Sequence, residues 1–221
     1  MLHEFAVSVS DFALAGLSAV LAGKLLRRDT ERLRIRNWFS VAIGATAVAA
    51  LLGGIAHGFF PDTETFLGAL VWRTTLACIG ATGLAAVMIA SFLLFRPGTV
   101  ERVRTGVLIA FAIYCGIVFF EWQQFTVALV FYVPAAALLF VAFLIRWRRA
   151  HDSFASDGLI AMGLTFLAAG IQHFNLGLDP VYLNNNVIYH LVQGVGVVYL
   201  YRAGKRWMEY LETSRVRVKA I

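Results

Sequence analysis

The chain has 221 residues, of which 60% are hydrophobic and 14% are charged, and its mean hydropathy is +0.75. A soluble domain of this length would be about half apolar and about a quarter charged, so the composition excludes an ordinary soluble globular protein. The net charge of +6 does not indicate nucleic-acid binding, because the basic residues fit membrane-protein loops that face anionic lipid headgroups. We therefore expect membrane lipids, and no nucleic acid, among its partners.

Seven apolar runs are long enough to cross a bilayer, which takes about 18 or more residues in a helix. In chain order, runs 1 to 7 lie near residues 5–26, 38–60, 65–95, 104–121, 124–146, 154–174 and 184–204. A tight turn around residues 121–124 separates runs 4 and 5. The sequence therefore predicts one all-α domain over residues 1–221, a bundle of seven transmembrane helices.

The basic residues predict the orientation of this bundle. Eighteen of the nineteen Lys and Arg residues fall in four clusters, which follow runs 1, 3, 5 and 7 and lie at 24–36, 96–104, 146–149 and 202–219. Loops rich in Lys and Arg stay in the cytoplasm. We therefore predict an amino terminus outside and a carboxyl terminus in the cytoplasm. The compact loops favour a bacterial inner membrane.

Six ionisable residues are predicted at a similar depth below the outer surface. At a rise of 1.5 Å per residue, their depths are roughly 0–12 Å, and they are Asp11, His57, Arg73, Glu121, His173 and His190. On run 7, Asn186 and Gln193 share the helix face of His190, because the three recur at i, i+4 and i+7. Ionisable groups in a membrane face the bundle interior or a water cavity. We expect one polar chamber, open to the outside and lined by helices 1, 2, 3, 4, 6 and 7.

Three histidines from three helices can form a catalytic zinc site, with a fourth position left for water. The predicted ligands are His57, His173 and His190, and the metal would convert the bound water to hydroxide near neutral pH. Asp11 or Glu121 could carry the proton, and Arg73 could stabilise an oxyanion. Asn186 and Gln193 are the candidate substrate-binding residues.

Structural readings of the same residues stay open beside this one. Each histidine could be a hydrogen-bonded residue near a helix end. Asp11 and Arg73 could form a buried ion pair that ties helix 1 to helix 3. Glu121 could be a solvated turn residue.

Two short segments resemble motifs of the superfamily of seven-helix membrane hydrolases that includes alkaline ceramidases and the progestin/adiponectin receptors. The segment Gly53-Gly54-Ile55-Ala56-His57 resembles the SxxxH motif of helix 2, with Gly53 in place of Ser. The segment Asn186-Val187-Ile188-Tyr189-His190 resembles the HxxxH motif of helix 7, with Asn186 in place of the first His. The helix 3 position that holds Asp in the superfamily offers Arg73.

The resemblance implies a zinc site to which His57 and His190 carry over directly. His173 would replace the missing ligand, and Asp11 or Glu121 the missing acid. The leading hypothesis is a zinc-dependent membrane hydrolase that acts on a lipid amide or ester at the outer leaflet. The alternatives are a non-catalytic seven-helix protein that binds or senses a small molecule or lipid, and a haem b protein with two of these histidines as axial ligands.

Overall fold

The structure, a computed structural model, describes residues 4–28 and 33–219. These residues form seven α-helices and no β-strand beyond one isolated bridge between Asp179 and Leu183. The helices are α1 (Phe5–Leu26), α2 (Leu33–Phe59), α3 (Phe66–Leu94), α4 (Pro97–Phe120), α5 (Phe125–Ala150), α6 (Ser153–His173) and α7 (Asn185–Lys219). The all-α prediction and the turn at 121–124 are confirmed.

The chain is an integral membrane protein by the length and apolar character of its helices. Helices α1 to α6 are each long and apolar enough to cross a membrane. Large apolar side chains also cover their outer faces, such as Ile113, which is 59% exposed, and Phe120, which is 85% exposed. Such a surface is stable against lipid tails and unfavourable in water. Helix α7 has 35 residues and carries polar side chains in its first half and basic ones in its second.

Six of the helices form a closed ring, and α4 lies outside it. Around the ring the order is α1, α2, α3, α5, α6 and α7, and α7 packs back on α1. Helix α4 packs against α3 and buries only Val100, Tyr114 and Val118. The Tyr114 hydroxyl donates a hydrogen bond of 2.7 Å to the carbonyl of Leu76 on α3. Consequently α5, and not α4, stands beside α3 in the ring.

The two ends of the ring differ in charge. We call the end that carries the four clusters of Lys and Arg the basic end. We call the other the distal end; its loops, 60–65, 121–124 and 174–184, contain Asp62, Glu64, Glu121 and Asp179 and no Lys or Arg. At the basic end the helices continue beyond the predicted apolar runs, since α2 begins at Leu33 and α5 ends at Ala150.

Ion pairs between helices stabilise the basic end. The carboxylate of Asp157 on α6 is buried and forms ion pairs with Arg202 at 3.3 Å and Arg206 at 2.8 Å, both from α7. Arg28, just after α1, pairs with Glu209 of α7 at 3.0 Å. These contacts explain why helical structure extends into polar sequence here, because the charged side chains find partners on neighbouring helices.

At the distal end, a turn held by Asp179 connects α6 to α7. Its carboxylate accepts the backbone N–H groups of Tyr182 at 2.7 Å and Val181 at 2.9 Å. These hydrogen bonds hold the pKa of Asp179 below its ordinary value. Their contribution to the turn is therefore present at neutral pH and is lost as the pH falls through the lowered pKa.

Candidate functional site

A cavity of about 510 Å³ lies inside the ring, in the half nearer the distal end. All six ring helices line it: Asp11 and Leu14 of α1, Thr46, Ala49, Ala50, Gly53 and His57 of α2, Trp72, Thr75, Ile79 and Thr82 of α3, Phe125, Leu129, Tyr132 and Val133 of α5, Thr165, Ala169, Gln172 and His173 of α6, and Asn186, Tyr189, His190 and Gln193 of α7. Its volume is that of a small-molecule site. The prediction that helix 4 lines the chamber is wrong, because α4 lies outside the ring and α5 takes its place.

The cavity brings together six of the eight predicted site residues: Asp11, His57, His173, His190, Asn186 and Gln193. Arg73 and Glu121 do not line it. Glu121 is exposed at the end of α4, outside the ring. Arg73 is half-buried on α3, and within the described chain its Nε has no hydrogen-bond partner.

Asp11 pairs with a histidine instead of Arg73. Its Oδ1 lies 3.1 Å from Nε2 of His190 on α7, and its side chain is buried. The ion pair between Asp11 and Arg73 that the sequence left open is not formed among the described residues. The reason is that α1 neighbours α2 and α7 in the ring, whereas α3 lies beyond α2.

Ser10, His190 and Asp11 form a continuous chain of polar contacts. The second ring nitrogen of His190, Nδ1, lies 2.8 Å from Oγ of Ser10, and that Oγ also lies 2.8 Å from the backbone carbonyl of Val7. A hydroxyl has one proton to donate. When it donates to His190, the imidazole carries its proton on Nε2 and donates it to Asp11. Both nitrogens of His190 are thus engaged by adjacent residues of α1.

The second carboxylate oxygen of Asp11, Oδ2, has no hydrogen-bond partner among the described residues. It faces Gly53 on α2, where an added Cβ would lie 3.3 Å from Oδ1 and 3.5 Å from Oδ2. The glycine therefore keeps a side chain of α2 out of contact with the carboxylate. A buried carboxylate oxygen without a partner is unfavourable, and this one belongs to a residue that lines the cavity.

At the distal end, two contacts between helices surround the cavity. His57 Nδ1 lies 2.9 Å from Oε2 of Glu4, which ties the end of α2 to the start of α1. Asn185 donates a hydrogen bond of 3.0 Å to Gln172, which ties α7 to α6.

Helix α7 is capped by Asn184, whose side chain accepts the N–H of Val187 at 3.0 Å. The cap is thus made outside the helix, while Asn186 lines the cavity.

The remaining wall is mostly apolar. Aromatic side chains contribute much of it: Trp72, Phe125, Tyr132 and Tyr189. Four threonine hydroxyls in the wall donate to carbonyls of their own helices, which leaves them less available to a ligand; these are Thr46, Thr75, Thr82 and Thr165. Sequence reasoning missed the residues of α5, because it placed helix 4 in the ring. Tyr189 could have been found, since it is three residues after Asn186 and so lies near the same helix face.

The arrangement of these residues does not fit the predicted zinc site as it stands. No three His, Cys, Asp or Glu side chains in the described chain form a group that could hold a metal ion. His190 has both nitrogens engaged and His57 has Nδ1 engaged, so His190 could bind a metal only by giving up a contact with Ser10 or Asp11. The three-histidine zinc site stays a prediction, and no step proposed below runs through a metal.

No curated protein and no solved structure matches this chain. Residues 6–209 match the sequence profile of a family of unknown function, DUF6962. The match includes all of the ring cavity and the peripheral helix α4. The chain therefore belongs to the family of unknown function DUF6962.

Proposed function

We propose that this membrane protein binds a small, largely apolar molecule in the ring cavity. The observation that carries the proposal is a cavity of about 510 Å³ that all six ring helices line. Small-molecule sites are clefts or cavities of about 300–1,000 Å³, so the cavity has the size that such a ligand requires. Its apolar and aromatic wall, with a few polar groups on α1, α2, α6 and α7, is typical of small-molecule sites.

The position of the cavity supports entry from the distal end. His57, Phe125 and His173, at the distal termini of α2, α5 and α6, all line it. On α2 the lining runs from Thr46 to His57, a depth of about 16 Å at the rise of an α-helix. The pocket thus extends from the distal end towards the middle of the bundle.

We also propose that the basic end faces the cytoplasm, because Lys and Arg are retained on that side of a membrane. The distal end and its cavity then face outward, as they would in a bacterial inner membrane. Reporter fusions at Asp62 and Asp179 should therefore read external, and a fusion at Arg148 cytoplasmic. The reverse pattern would place the cavity mouth inside the cell.

Filling the cavity should abolish binding without unfolding the protein. Ala169 of α6 lines the cavity, and Ala169→Phe places a phenyl group inside the cavity. We expect this variant to bind 2-phenylethanol about tenfold more weakly or not at all, since the ring occupies space that the probe needs. Binding is measured by isothermal titration calorimetry in lipid nanodiscs.

The matched control is Ile113→Phe on the lipid-facing side of α4, where the side chain is 59% exposed. It should bind the probe as the wild type does. Equal affinities in wild type and Ala169→Phe would show that the probe sits elsewhere, and would count against the proposal.

A second candidate function, hydrolysis of a lipid ester or amide, is favoured by the chain of contacts through Ser10, His190 and Asp11. Ser10 and His190 also line a smaller groove of about 230 Å³ between α1 and α7. In this reaction Oγ of Ser10 would attack a carbonyl carbon and give its proton to Nδ1 of His190, while Asp11 holds the ring. The alcohol or amine would take that proton from His190 as it leaves, and the resulting acyl-serine would be hydrolysed by water, which returns a proton to Ser10 and releases the acid. The likeness of His57 and His190 to the ceramidase motifs supports the same class of substrate.

A fluorophosphonate probe, which labels activated serines, tests this candidate. Hydrolytic function requires labelling that is lost in Ser10→Ala and kept in Ser8→Ala, a change at a nearby buried serine of the same helix. Identical labelling of the two variants would eliminate Ser10 as a nucleophile.

Metal analysis of the purified protein tests the zinc prediction separately. Equimolar zinc that disappears in His173→Ala would establish the three-histidine site. A folded preparation without zinc would rule out the three-histidine site. The visible absorption spectrum of the same sample tests the haem b alternative.

A further inference from the structure

We propose that the ligand of the ring cavity carries a cationic amine, and that Asp11 is its counter-ion. This inference rests on the proposed function, because it names the chemical class of the molecule that the cavity binds. It rests on the carboxylate of Asp11, on the charged groups near it and on the aromatic side chains that line the same cavity.

The carboxylate of Asp11 is incompletely satisfied. Its side chain is 3% exposed and lines the cavity, and Oδ2 has no hydrogen-bond partner among the described residues. A buried charge requires a partner and hydrogen bonds to its remaining lone pairs. The ammonium group of an amine supplies both, since its N–H donors form charge-assisted hydrogen bonds with carboxylates.

His190 leaves this requirement unmet. It contacts Oδ1 alone, at 3.1 Å. When the hydroxyl of Ser10 donates to Nδ1, a neutral His190 donates its Nε2 proton to Asp11, and every member of the chain is paired without a positive charge. The contacts with Ser10 and His190 then supply no positive charge to Asp11, and Oδ2 still has no partner among the described residues. Gly53 keeps a side chain of α2 out of contact with that oxygen.

The rest of the described lining offers no Lys or Arg that could pair with Asp11. Among the described residues that line the cavity there is no Lys or Arg, and the titratable side chains besides Asp11 are three histidines and two tyrosines. Arg73 lies off the cavity. An anionic ligand would lie near a carboxylate that has no cationic partner. A neutral ligand would not supply that partner.

Aromatic rings in the same cavity favour the same class of ligand. Trp72, Phe125, Tyr132 and Tyr189 all line it. Aromatic faces attract ammonium groups through their quadrupoles and also pack against apolar groups. A molecule with an amine at one end and an apolar body matches a cavity with one carboxylate and an aromatic wall.

The test compares three probes of similar size and different charge: 2-phenylethylamine, 2-phenylethanol and phenylacetate. Each is titrated by calorimetry at pH 7 into the full-length protein in nanodiscs of zwitterionic lipid. We expect the amine to bind about tenfold more tightly than the alcohol, the effect of one hydrogen bond between charged groups, and phenylacetate to bind most weakly. Asp11→Asn should weaken amine binding about tenfold and so remove the preference for the amine over the alcohol. Glu64→Gln, which removes an exposed charge at the distal end, should change neither.

A second variant covers the case in which Asp11→Asn disturbs the fold, which loss of alcohol binding would reveal. Gly53→Ala keeps the charge and places a methyl group 3.5 Å from Oδ2, so it should reduce the preference for the amine over the alcohol.

The outcomes separate this inference from the proposed function. Equal binding of amine and alcohol by the wild type, or an amine preference that survives both Asp11→Asn and Gly53→Ala, would overturn the inference and leave the ligand-binding cavity in place. Failure of all three probes to bind the folded wild type would overturn both.

Discussion

The variant Gly158→Ala should melt roughly 2–12 °C below the wild type in detergent, because overpacking a core costs about 1–3 kcal/mol. Gly158 on α6 faces the ring of Phe143 on α5, and an added Cβ would lie 2.5–2.6 Å from three atoms of that ring. Phe143 is fully buried in the main core. The ring therefore cannot withdraw without displacing its own neighbours. The melting temperature can be followed by tryptophan fluorescence or by circular dichroism.

Gly163→Ala provides the control on the same helix. A Cβ at position 163 would meet nothing within 4 Å, and alanine is favoured over glycine in a helix by up to about 1 kcal/mol. We expect its melting temperature to be unchanged or slightly higher. Similar losses in both variants would mean that α6 does not pack on α5 through Gly158.

The variant Asp157→Asn should also lose stability, because it removes a buried carboxylate that forms ion pairs with two arginines of α7. A polar contact with a charged group contributes about 1.5–3 kcal/mol. Both arginine side chains are 41% exposed, so solvent screening places the loss near the lower end of that range. For a chain of this size we expect a fall of roughly 3–8 °C in melting temperature.

The matched change is Glu101→Gln at the same end of the bundle. Glu101 pairs with Arg34 and Arg104, but all three side chains lie at the surface. Exposed ion pairs contribute about 0–1 kcal/mol, so the melting temperature should move little. Equal shifts for Asp157→Asn and Glu101→Gln would contradict the special role of the buried pair.

The sequence predicted those features that depend only on position along a helix axis. Hydropathy located the seven helices, and the rise per residue placed His57, His173 and His190 at a common depth. All three line the cavity. The same argument selected Arg73 and Glu121, which lie off the cavity. Depth is therefore informative, but it does not tell which way a side chain points around its helix.

The order of helices around the ring could not be read from the sequence. Run 4 is as apolar as its neighbours, yet α4 packs outside, where Tyr114 fits against Gly80 of α3. Once α4 is outside, α5 supplies Phe125 and Tyr132 to the cavity. The partner of Asp11 differs from the one that the sequence suggested for the same reason. The closure of the ring places α7, and not α3, beside α1.

The contact between the first and last helices has a consequence for how the chain is made. During translation α1 enters the bilayer well before α7 emerges from the ribosome, so Asp11 is in the membrane without its partner His190 for that time. An acidic side chain costs about 2.5–3.5 kcal/mol at the centre of an inserted helix and less at the position of Asp11, which lies nearer the distal end of α1. A nascent chain that stops after α6 would hold six apolar helices and still lack the histidine that pairs with that acid. The polar contact of α1 through Asp11 is therefore completed only when α7 has been synthesised.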